Sequence, residues 1–202
     1  MEERILMAAE ELFCRYGIKS ITMDDIAGHL GISKKTIYQF YKDKKELVHL
    51  LMHKMIGDQQ AEFEAHESGA NNAIEEIFAV MVCLQRMMHS ISPVIFYDMQ
   101  KYHPESWQLY QDYRDNYLIQ RIRRNMERGI SEGLYRKDLD LDLIPVFRIK
   151  QLDDIFSTTV YPPSRFNMAD VLNKLTEHFL YGMVSLKGYK LINEHKNIKE
   201  EG

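Results

Sequence analysis

Residues 21–48, ITMDDIAGHLGISKKTIYQFYKDKKELV, decide the fold of this 202-residue chain. Thr22 and Asp25 form a pattern similar to a capping box, because the Thr22 hydroxyl can cap a helix while the Asp25 carboxylate reaches back to the first backbone N–H. We therefore predict a helix over residues 23–30, and Gly31 is the residue type expected where such a helix ends. The segment thus specifies one short helix followed by a tight turn.

A second short helix follows after a turn of only three or four residues. Ser33 is placed to cap it, and we predict that it covers residues 34–41, with Ile37 and Phe40 turned toward the core. Two short helices joined by a tight turn that contains glycine are the signature of a helix-turn-helix. The side chains that this arrangement would expose are Lys34, Lys35, Thr36, Tyr38 and Gln39.

The rest of the chain also has a helical pattern, because apolar residues recur at three- and four-residue spacing and Gly and Pro separate the periodic segments. A first helix is predicted over residues 2–16, with Gly17 in a left-handed conformation at its end. Later helices are predicted over about 44–66, 72–89, a short stretch after Pro93, 104–133, 142–161 and 167–187. The fold class is therefore all-α with about nine helices, and we divide it into residues 1–46, a helix-turn-helix domain, and residues 47–202, a larger helical domain.

Composition favours a folded chain with a sizeable core, since 45% of the residues are hydrophobic and 28% are charged. No run of 18 apolar residues occurs, which predicts no transmembrane helix, and the charged N-terminal residues predict no export signal. Cys14 and Cys83 lie too far apart for a metal-binding spacing, so we expect two reduced, partly buried thiols. A cytoplasmic location is consistent with these features.

The net charge of −4 hides a local excess of basic side chains. Residues 1–47 hold eight Lys or Arg and eight Asp or Glu, so the remaining 18 basic and 22 acidic residues account for the whole −4. Within residues 33–45, five lysines oppose one aspartate, which gives a local charge of +4. Local patches, rather than totals, determine phosphate affinity, so the overall charge does not exclude a nucleic-acid partner.

The pattern of residues 21–48 resembles the DNA-binding head of TetR-family repressors. That family shows Thr-x-x-Asp-Ile-Ala, a Gly-Val/Ile-Ser turn, and then Thr-Leu/Ile-Tyr-x-x-Phe/Tyr-x-x-Lys-x-x-Leu. The positions of this chain that match are Thr22, Asp25, Ile26, Ala27, Gly31, Ile32, Ser33, Thr36, Ile37, Tyr38, Tyr41, Lys44 and Leu47. With the first helix included, the resemblance covers about a quarter of the chain.

The resemblance implies a transcriptional regulator, by default a repressor, whose partner is a double-stranded DNA operator. The helix that begins after Ser33 would enter the major groove, and its N-terminus suits a phosphate. By resemblance, the residues that would contact phosphates are Thr22, Tyr38, Tyr41 and Lys44. The residues at positions that can reach base edges are Lys34, Lys35, Thr36 and Gln39.

A homodimer is expected because one helix-turn-helix rarely binds tightly alone, whereas a dimer matches two half-sites of a palindromic operator. The last two long predicted helices are strongly apolar and are predicted to form a four-helix interface with those of a second protomer, as in TetR-like proteins. An ordinary intramolecular core is the alternative. The predicted interface residues are Phe147, Leu152, Ile155, Leu172, Leu175, Phe179, Gly182, Met183 and Leu186.

A pocket for a mainly apolar small-molecule effector is expected among the middle helices, chiefly on the strength of the resemblance. Met adapts to irregular volumes, and Tyr offers a polar group in an apolar wall, although a plain core has the same composition. The predicted lining residues are Phe78, Met81, Met88, Phe96, Met99, Trp107, Tyr110, Tyr113 and Tyr117.

Two other classes of protein compete with a DNA-binding regulator. An enzyme is disfavoured because the chain lacks H-E-x-x-H, G-x-S-x-G, C-x-x-C and glycine-rich phosphate-loop motifs, so we predict no catalytic residue, cofactor or metal. The pairs His49–His53 and Glu62–His66 have metal-ligand spacing, but surface residues are the simpler interpretation. The alternatives left open are a helical metal- or small-molecule-binding protein with no DNA role and a purely structural helical protein.

Overall fold

The computed structural model describes residues 1–157 and 159–195, and it confirms the all-α prediction. Apart from helices and turns, the described residues contain one isolated antiparallel bridge between Tyr135 and Val184. The helices are α1 (Glu2–Tyr16), α2 (Met23–Leu30), α3 (Lys34–Ile37), α4 (Lys44–Gly69), α5 (Ala73–Ser90), α6 (Val94–Tyr102), α7 (Pro104–Tyr113), a π-helical turn (Arg114–Leu118), α8 (Ile119–Ser131), α9 (Leu143–Ile155), α10 (Met168–Met183) and α11 (Leu186–His195).

Packing divides the chain into two compact units. The head unit comprises Met1–Ala61 and Met87–Tyr113, and the body unit comprises Glu62–Arg86 and the chain from Arg114 onward. Helices α4 and α5 each begin in one unit and end in the other. The predicted domains, residues 1–46 and 47–202, divide the chain by expected function, whereas the two units divide it by packing. The functional division stays a prediction.

The core of the head unit forms where α1, α2, α3 and the start of α4 meet. Its fully buried side chains include Ile5, Phe13, Ile26, Ile37 and Leu47. Apolar residues of α6 belong to the same core, and those of α7 pack against it. The segment α6–α7 is thus part of the head unit in packing, although it follows the helix-turn-helix by about 50 residues in sequence.

The core of the body unit contains apolar residues from α5, α8, α10 and α11. Gly129 is required there, because a Cβ at this position would lie 2.1 Å from the ring of Tyr135. The Tyr135 hydroxyl donates to the Ala73 carbonyl at 3.2 Å and to the Asn125 amide oxygen at 3.0 Å. The close approach of α8 to the following loop therefore depends on a missing side chain.

Two local predictions need correction. The helix predicted over 34–41 ends at Ile37. The N–H groups of Gln39 and Phe40 bond three residues back, which tightens the chain into turns, and Phe40 is 40% exposed instead of buried. Gly17 has the expected positive φ of 83° but an extended ψ of 157°, so it is not a left-handed helical cap. The Gly17 N–H still donates to the Phe13 carbonyl at 2.9 Å, and the Cys14 carbonyl accepts the Ser92 N–H at 2.7 Å.

Two longer predicted helices are also subdivided. The helix predicted over 104–133 is interrupted by the π-helical turn, and the one predicted over 167–187 stops at Met183 before α11 begins. Within the described residues, no single helix is both long and apolar enough to cross a membrane. The bent pair α5–α6 reaches the required length and composition only when its two helices are counted together.

Candidate nucleic-acid interface and body cavities

The predicted capping of α2 and α3 is confirmed. The Thr22 hydroxyl accepts the Asp25 N–H at 3.2 Å, and the Asp25 carboxylate accepts the Thr22 N–H at 2.7 Å. Hydrogen bonds from the Thr22 hydroxyl and N–H lower the pKa of the Asp25 carboxyl. Gly31 ends α2 in a left-handed conformation, and the Ser33 hydroxyl accepts the Thr36 N–H at 3.1 Å. Hydrogen bonds between residues three positions apart therefore fix where both helices of the motif begin.

The surface of α3 and its following turn carries most of the side chains predicted to meet DNA. Thr36 is half-buried, and the exposed members are Ser33, Lys34, Lys35, Tyr38 and Gln39. The Lys34 ammonium lies 2.7 Å from the Asp24 carboxylate, and this hydrogen bond raises the pKa of Lys34. Exposed ion pairs are weak, so a phosphate or base edge can replace Asp24 at little cost.

Tyr41 and Lys44 are placed differently from the other predicted contacts. Tyr41 is 1% exposed, and its hydroxyl donates to the Glu2 carbonyl at 3.0 Å. The Lys44 ammonium donates to the carbonyls of Ile18 and Ile21, and burial lowers its pKa. Both side chains hold neighbouring segments of the head unit together in this conformation. Their contact with phosphates stays a prediction that rests on the family pattern alone.

Asp98 of α6 is a further polar group in the head unit that sequence reasoning did not identify. Its side chain is buried, and one carboxylate oxygen accepts the Lys19 N–H at 2.7 Å. Its charge opposes the lowering of the Lys44 pKa. Asp98 also lies close to α1, because a Cβ on Gly17 would be 3.1 Å from its carboxylate oxygen. A lone acidic residue within VIFYDMQKY was the available signal.

The structure does not bring the predicted ligand-lining residues together in one unit. Those in the head unit are Met88, Phe96, Met99, Trp107, Tyr110 and Tyr113, whereas those in the body unit are Phe78, Met81 and Tyr117. Met99 is buried in the head core, with Phe96, Trp107 and Tyr110 packed against it. A Met- and aromatic-rich stripe has the same appearance on a core-covering helix as on a pocket wall, so the pattern could not separate the two.

Two cavities lie entirely within the body unit. The first, here called the Arg148 cavity, has a volume of about 80 Å³. Its lining residues are Glu76, Ile77, Val80, Met81, Leu84, Arg121, Ile122, Asn125, Met126, Arg148, Leu152, Thr176, Phe179 and Met183. The second, here called the outer cavity, has a volume of about 220 Å³ and is lined by Phe78, Met81, Gln85, Asn173, Glu177, Leu180, Tyr181 and Ile192. Of the predicted lining residues, Phe78 and Met81 meet these cavities.

Charged side chains in the wall of the Arg148 cavity are unusually buried. The Arg121 guanidinium donates to the Glu76 carboxylate and to the Phe63 carbonyl, both at 3.1 Å. Arg128 lies 3.5 Å from the other Glu76 oxygen. Burial raises the pKa of Glu76 against the opposing effect of the two arginines. Arg148 lines the same cavity, and burial lowers its pKa to about 10.

The predicted dimer-interface residues are divided between surface and interior. Those buried within the body unit itself are Ile155, Leu172, Phe179 and Met183, and these four are corrected to intramolecular core. Leu152 and Leu175 are half-buried, whereas Phe147, Gly182 and Leu186 are exposed. The interface therefore stays a prediction for the exposed and half-buried residues, and α9 supplies its largest apolar side chain.

One group of potential metal ligands occurs among the described residues, consisting of Glu62, His66 and Cys83. Its Glu62 carboxylate already accepts a hydrogen bond from Arg86 at 2.5 Å, and burial raises the pKa of the Cys83 thiol to about 12. A thiol with such a high pKa must lose a tightly held proton before it can bind a metal. His49 and His53 stack edge to face with ring centroids 5.0 Å apart.

Comparison with known proteins finds the predicted family in the head of the chain. Residues 5–51, from α1 to the first turns of α4, match the bacterial regulatory proteins of the tetR family. The HTH-type transcriptional regulator YvaF of Bacillus subtilis, itself uncharacterized, is 31% identical over 108 residues, which are 53% of this chain and 56% of that protein. The HTH-type transcriptional repressor KstR2 of Mycobacterium tuberculosis is 25% identical over 148 residues, which are 69% of this chain and 72% of that one.

The fold also matches solved structures over most of the chain. A TetR-family transcriptional regulator from Agrobacterium tumefaciens superposes with a TM-score of 0.74 and 17% sequence identity, covering 91% of this chain and 97% of that one. Such a match supports the fold alone. The alignment with YvaF spans little more than half of that protein's length.

Proposed function

We propose that this chain is a DNA-binding transcriptional regulator of the TetR family of bacterial regulatory proteins, and that it represses transcription as a homodimer on a palindromic operator and responds to a small molecule. Its place of action is the cytoplasm, where bacterial DNA lies. The observation that carries the proposal is the outward-facing, basic surface of α3, presented by a capped and buried framework.

Base readout is assigned to α3 and its following turn. Lys34, Lys35 and Gln39 are exposed on one short segment, and Tyr38 lies beside them. Lysine suits guanine O6 and N7, whereas glutamine suits adenine N6 and N7. We therefore assign the sequence preference to the major-groove contacts of α3.

Dimerisation is supported by the exposed face of α9. Leu143, Val146 and Phe147 present apolar side chains to solvent within one turn of each other, and Phe147 is 52% exposed. Apolar groups clustered in this way on a surface mark interaction sites. Two protomers joined there would present two copies of α3, which is what a palindromic operator requires. The response to a ligand is assigned to the cavities of the body unit.

The decisive experiment selects DNA bound by the full chain from a random library and measures affinity by gel shift. We expect a palindrome whose half-sites are about 10 base pairs, or a multiple of that, apart. Lys35→Ala should relax preference at the base pair that Lys35 reads and, because it also removes a positive charge, should reduce the salt dependence of binding. Gln39→Ala should relax preference at a different base pair with little change in salt dependence, at a cost of about 1–3 kcal/mol for the cognate site.

Lys137→Ala is the matched control, because Lys137 is also an exposed lysine but lies in the body unit. Its affinity for DNA should equal that of the wild type. Unchanged binding in the Lys35 and Gln39 variants would remove α3 from the interface. A recovered site with no internal symmetry would contradict the homodimer on a palindrome.

A further inference from the structure

Arg148 is a buried cation without a counter-charge. Its side chain is 6% exposed, and one guanidinium nitrogen donates to the Thr176 hydroxyl at 2.5 Å. The guanidinium carbon lies 4.8 Å from the centre of the Phe179 ring. The other terminal nitrogen is buried and has no hydrogen-bond partner. Among the described residues, no Asp or Glu forms an ion pair with Arg148, and only burial shifts its pKa.

Arg121 in the same cavity wall is a buried arginine whose charge is balanced by a carboxylate. It is buried to a similar degree, but it pairs with the buried Glu76 carboxylate. The charged residues lining the Arg148 cavity are Glu76, Arg121 and Arg148, so Glu76 is matched by Arg121 and one positive charge is left over. The excess charge therefore belongs to Arg148.

Burying an unpaired charge is costly, and proteins usually avoid it or supply a partner. Here the chain keeps the cation inside an apolar wall that includes Met126, Phe179 and Met183. A bound anion would supply both the missing counter-charge and an acceptor for the unused nitrogen. Carboxylates fit guanidinium groups in planar pairs, and the small volume of about 80 Å³ favours such a compact head.

The apolar part of the ligand has a continuation next to this cavity. Met81 lines both the Arg148 cavity and the outer cavity, so it lies between the two. A methionine side chain has three rotatable bonds and adapts to its surroundings. Its movement would join the small charged cavity to the larger one, where Phe78, Leu180 and Ile192 offer apolar surface.

We infer that the Arg148 cavity binds the carboxylate head of an otherwise apolar small molecule, with Arg148 as its charge partner and the ligand's hydrocarbon chain passing Met81 into the outer cavity. This inference rests on the proposed response to a small molecule and specifies the chemical class of that molecule.

The test compares three eight-carbon probes that differ only in the head group: octanoate, octan-1-ol and octylamine. Binding to the full wild-type chain is measured by calorimetry, without DNA. Octanoate should bind on the order of tenfold or more tightly than octan-1-ol, because charge-assisted hydrogen bonds are the strong ones. Octylamine should bind most weakly, since it would place a second cation beside Arg148.

Variants separate the charge of Arg148 from its bulk. Arg148→Met should lose the preference for octanoate while retaining octan-1-ol binding, and Arg148→Lys should keep part of the preference because it keeps the charge. Lys150→Met, two residues away on the exposed side of α9, is the matched control and should behave as wild type. Circular dichroism checks that each variant is folded.

Equal binding of octanoate and octan-1-ol to the wild type, undiminished octanoate binding by Arg148→Met, or no binding of octanoate would overturn the inference. Release of operator DNA by octanoate is measured separately. If octanoate binds through Arg148 but leaves DNA binding unchanged, the inference stands and the proposed ligand response fails. If the chain binds a palindrome as a dimer but does not bind octanoate, the inference alone fails.

Discussion

The interiors of the two units differ in chemical kind. The head core is apolar from α1 to α4, with Asp98 as its one buried charged side chain among the described residues. The interior of the body unit instead holds Glu76, Arg121 and Arg148 together with buried amide and hydroxyl groups. Apolar burial stabilises directly, whereas buried charge is tolerated only when it is compensated. The head interior thus serves stability, and the body interior carries a cost that calls for a functional explanation.

The largest loss of stability is expected from breaking the buried ion pair between Glu76 and Arg121 in the body unit. Glu76→Gln removes the buried carboxylate of Arg121 and leaves only that of Glu67, 3.8 Å away, so we expect the free energy of unfolding to fall by about 4 kcal/mol. Chemical denaturation followed by circular dichroism measures the change. Glu127→Gln is the control, because Glu127 pairs with Arg123 on the surface and should cost less than about 1 kcal/mol. Equal losses in the two variants would mean that burial does not distinguish these pairs.

A slightly smaller loss is expected from the apolar head. Ile37 is fully buried, so Ile37→Ala removes transfer free energy and leaves a cavity, for a loss of about 3 kcal/mol. Unlike the Glu76 effect, this loss should be the same at pH 5 and pH 8, because no titratable group is involved. Denaturation at the two pH values measures it. A loss that changed with pH would show that the head core is not as purely apolar as its packing indicates.

A third effect concerns the cap of α2. Thr22→Ala removes the side-chain acceptor for the Asp25 N–H, and we expect a loss of about 1 kcal/mol. Thr22→Ser keeps the hydroxyl and should retain most of that stability. Thr22 is also predicted to contact a phosphate, so gel shifts on both variants compare its two roles. A stable Thr22→Ala protein with unchanged DNA affinity would contradict both of them.

The contrast between the units also explains how much could be predicted from sequence. In the head, Thr22, Gly31 and Ser33 act on backbone groups within a few residues of themselves, so their roles follow from local chemistry. The family pattern added the DNA-binding role, and the buried stripe containing Ile37 was correctly predicted. The prediction that Phe40 is buried was wrong, because the chain tightens into turns after Ile37, which helical periodicity does not anticipate.

In the body, the informative residues are far apart in sequence. Glu76 meets Arg121 across 45 positions, and Arg148 meets Thr176 across 28. Neither pairing leaves a local pattern, and a single buried arginine looks in sequence like any surface arginine. Met and aromatic residues were the signal followed instead, and it led mainly to α6 and α7 of the head unit.

The smallest change in the free energy of unfolding near neutral pH is expected from replacing Arg148, and this change sharpens the comparison of the two interiors most. Because its charge is buried and unpaired, Arg148→Met should be as stable as wild type or more stable by about 1 kcal/mol at pH 8.

Burial lowers the pKa of Arg148 in the folded chain to about 10, below its ordinary value. Above pH 10 the unfolded chain therefore holds more protons at this position than the folded one, so stability rises with pH in that window. The advantage of Arg148→Met should accordingly shrink between pH 8 and pH 10.5, as measured by denaturation of both proteins, in which the titration of tyrosines and lysines is shared and cancels. If the stability advantage of Arg148→Met grew with pH, or if the variant were much less stable than wild type at pH 8, Arg148 would be compensated within the body unit. The interior of the body unit would then, like that of the head unit, carry no uncompensated charge.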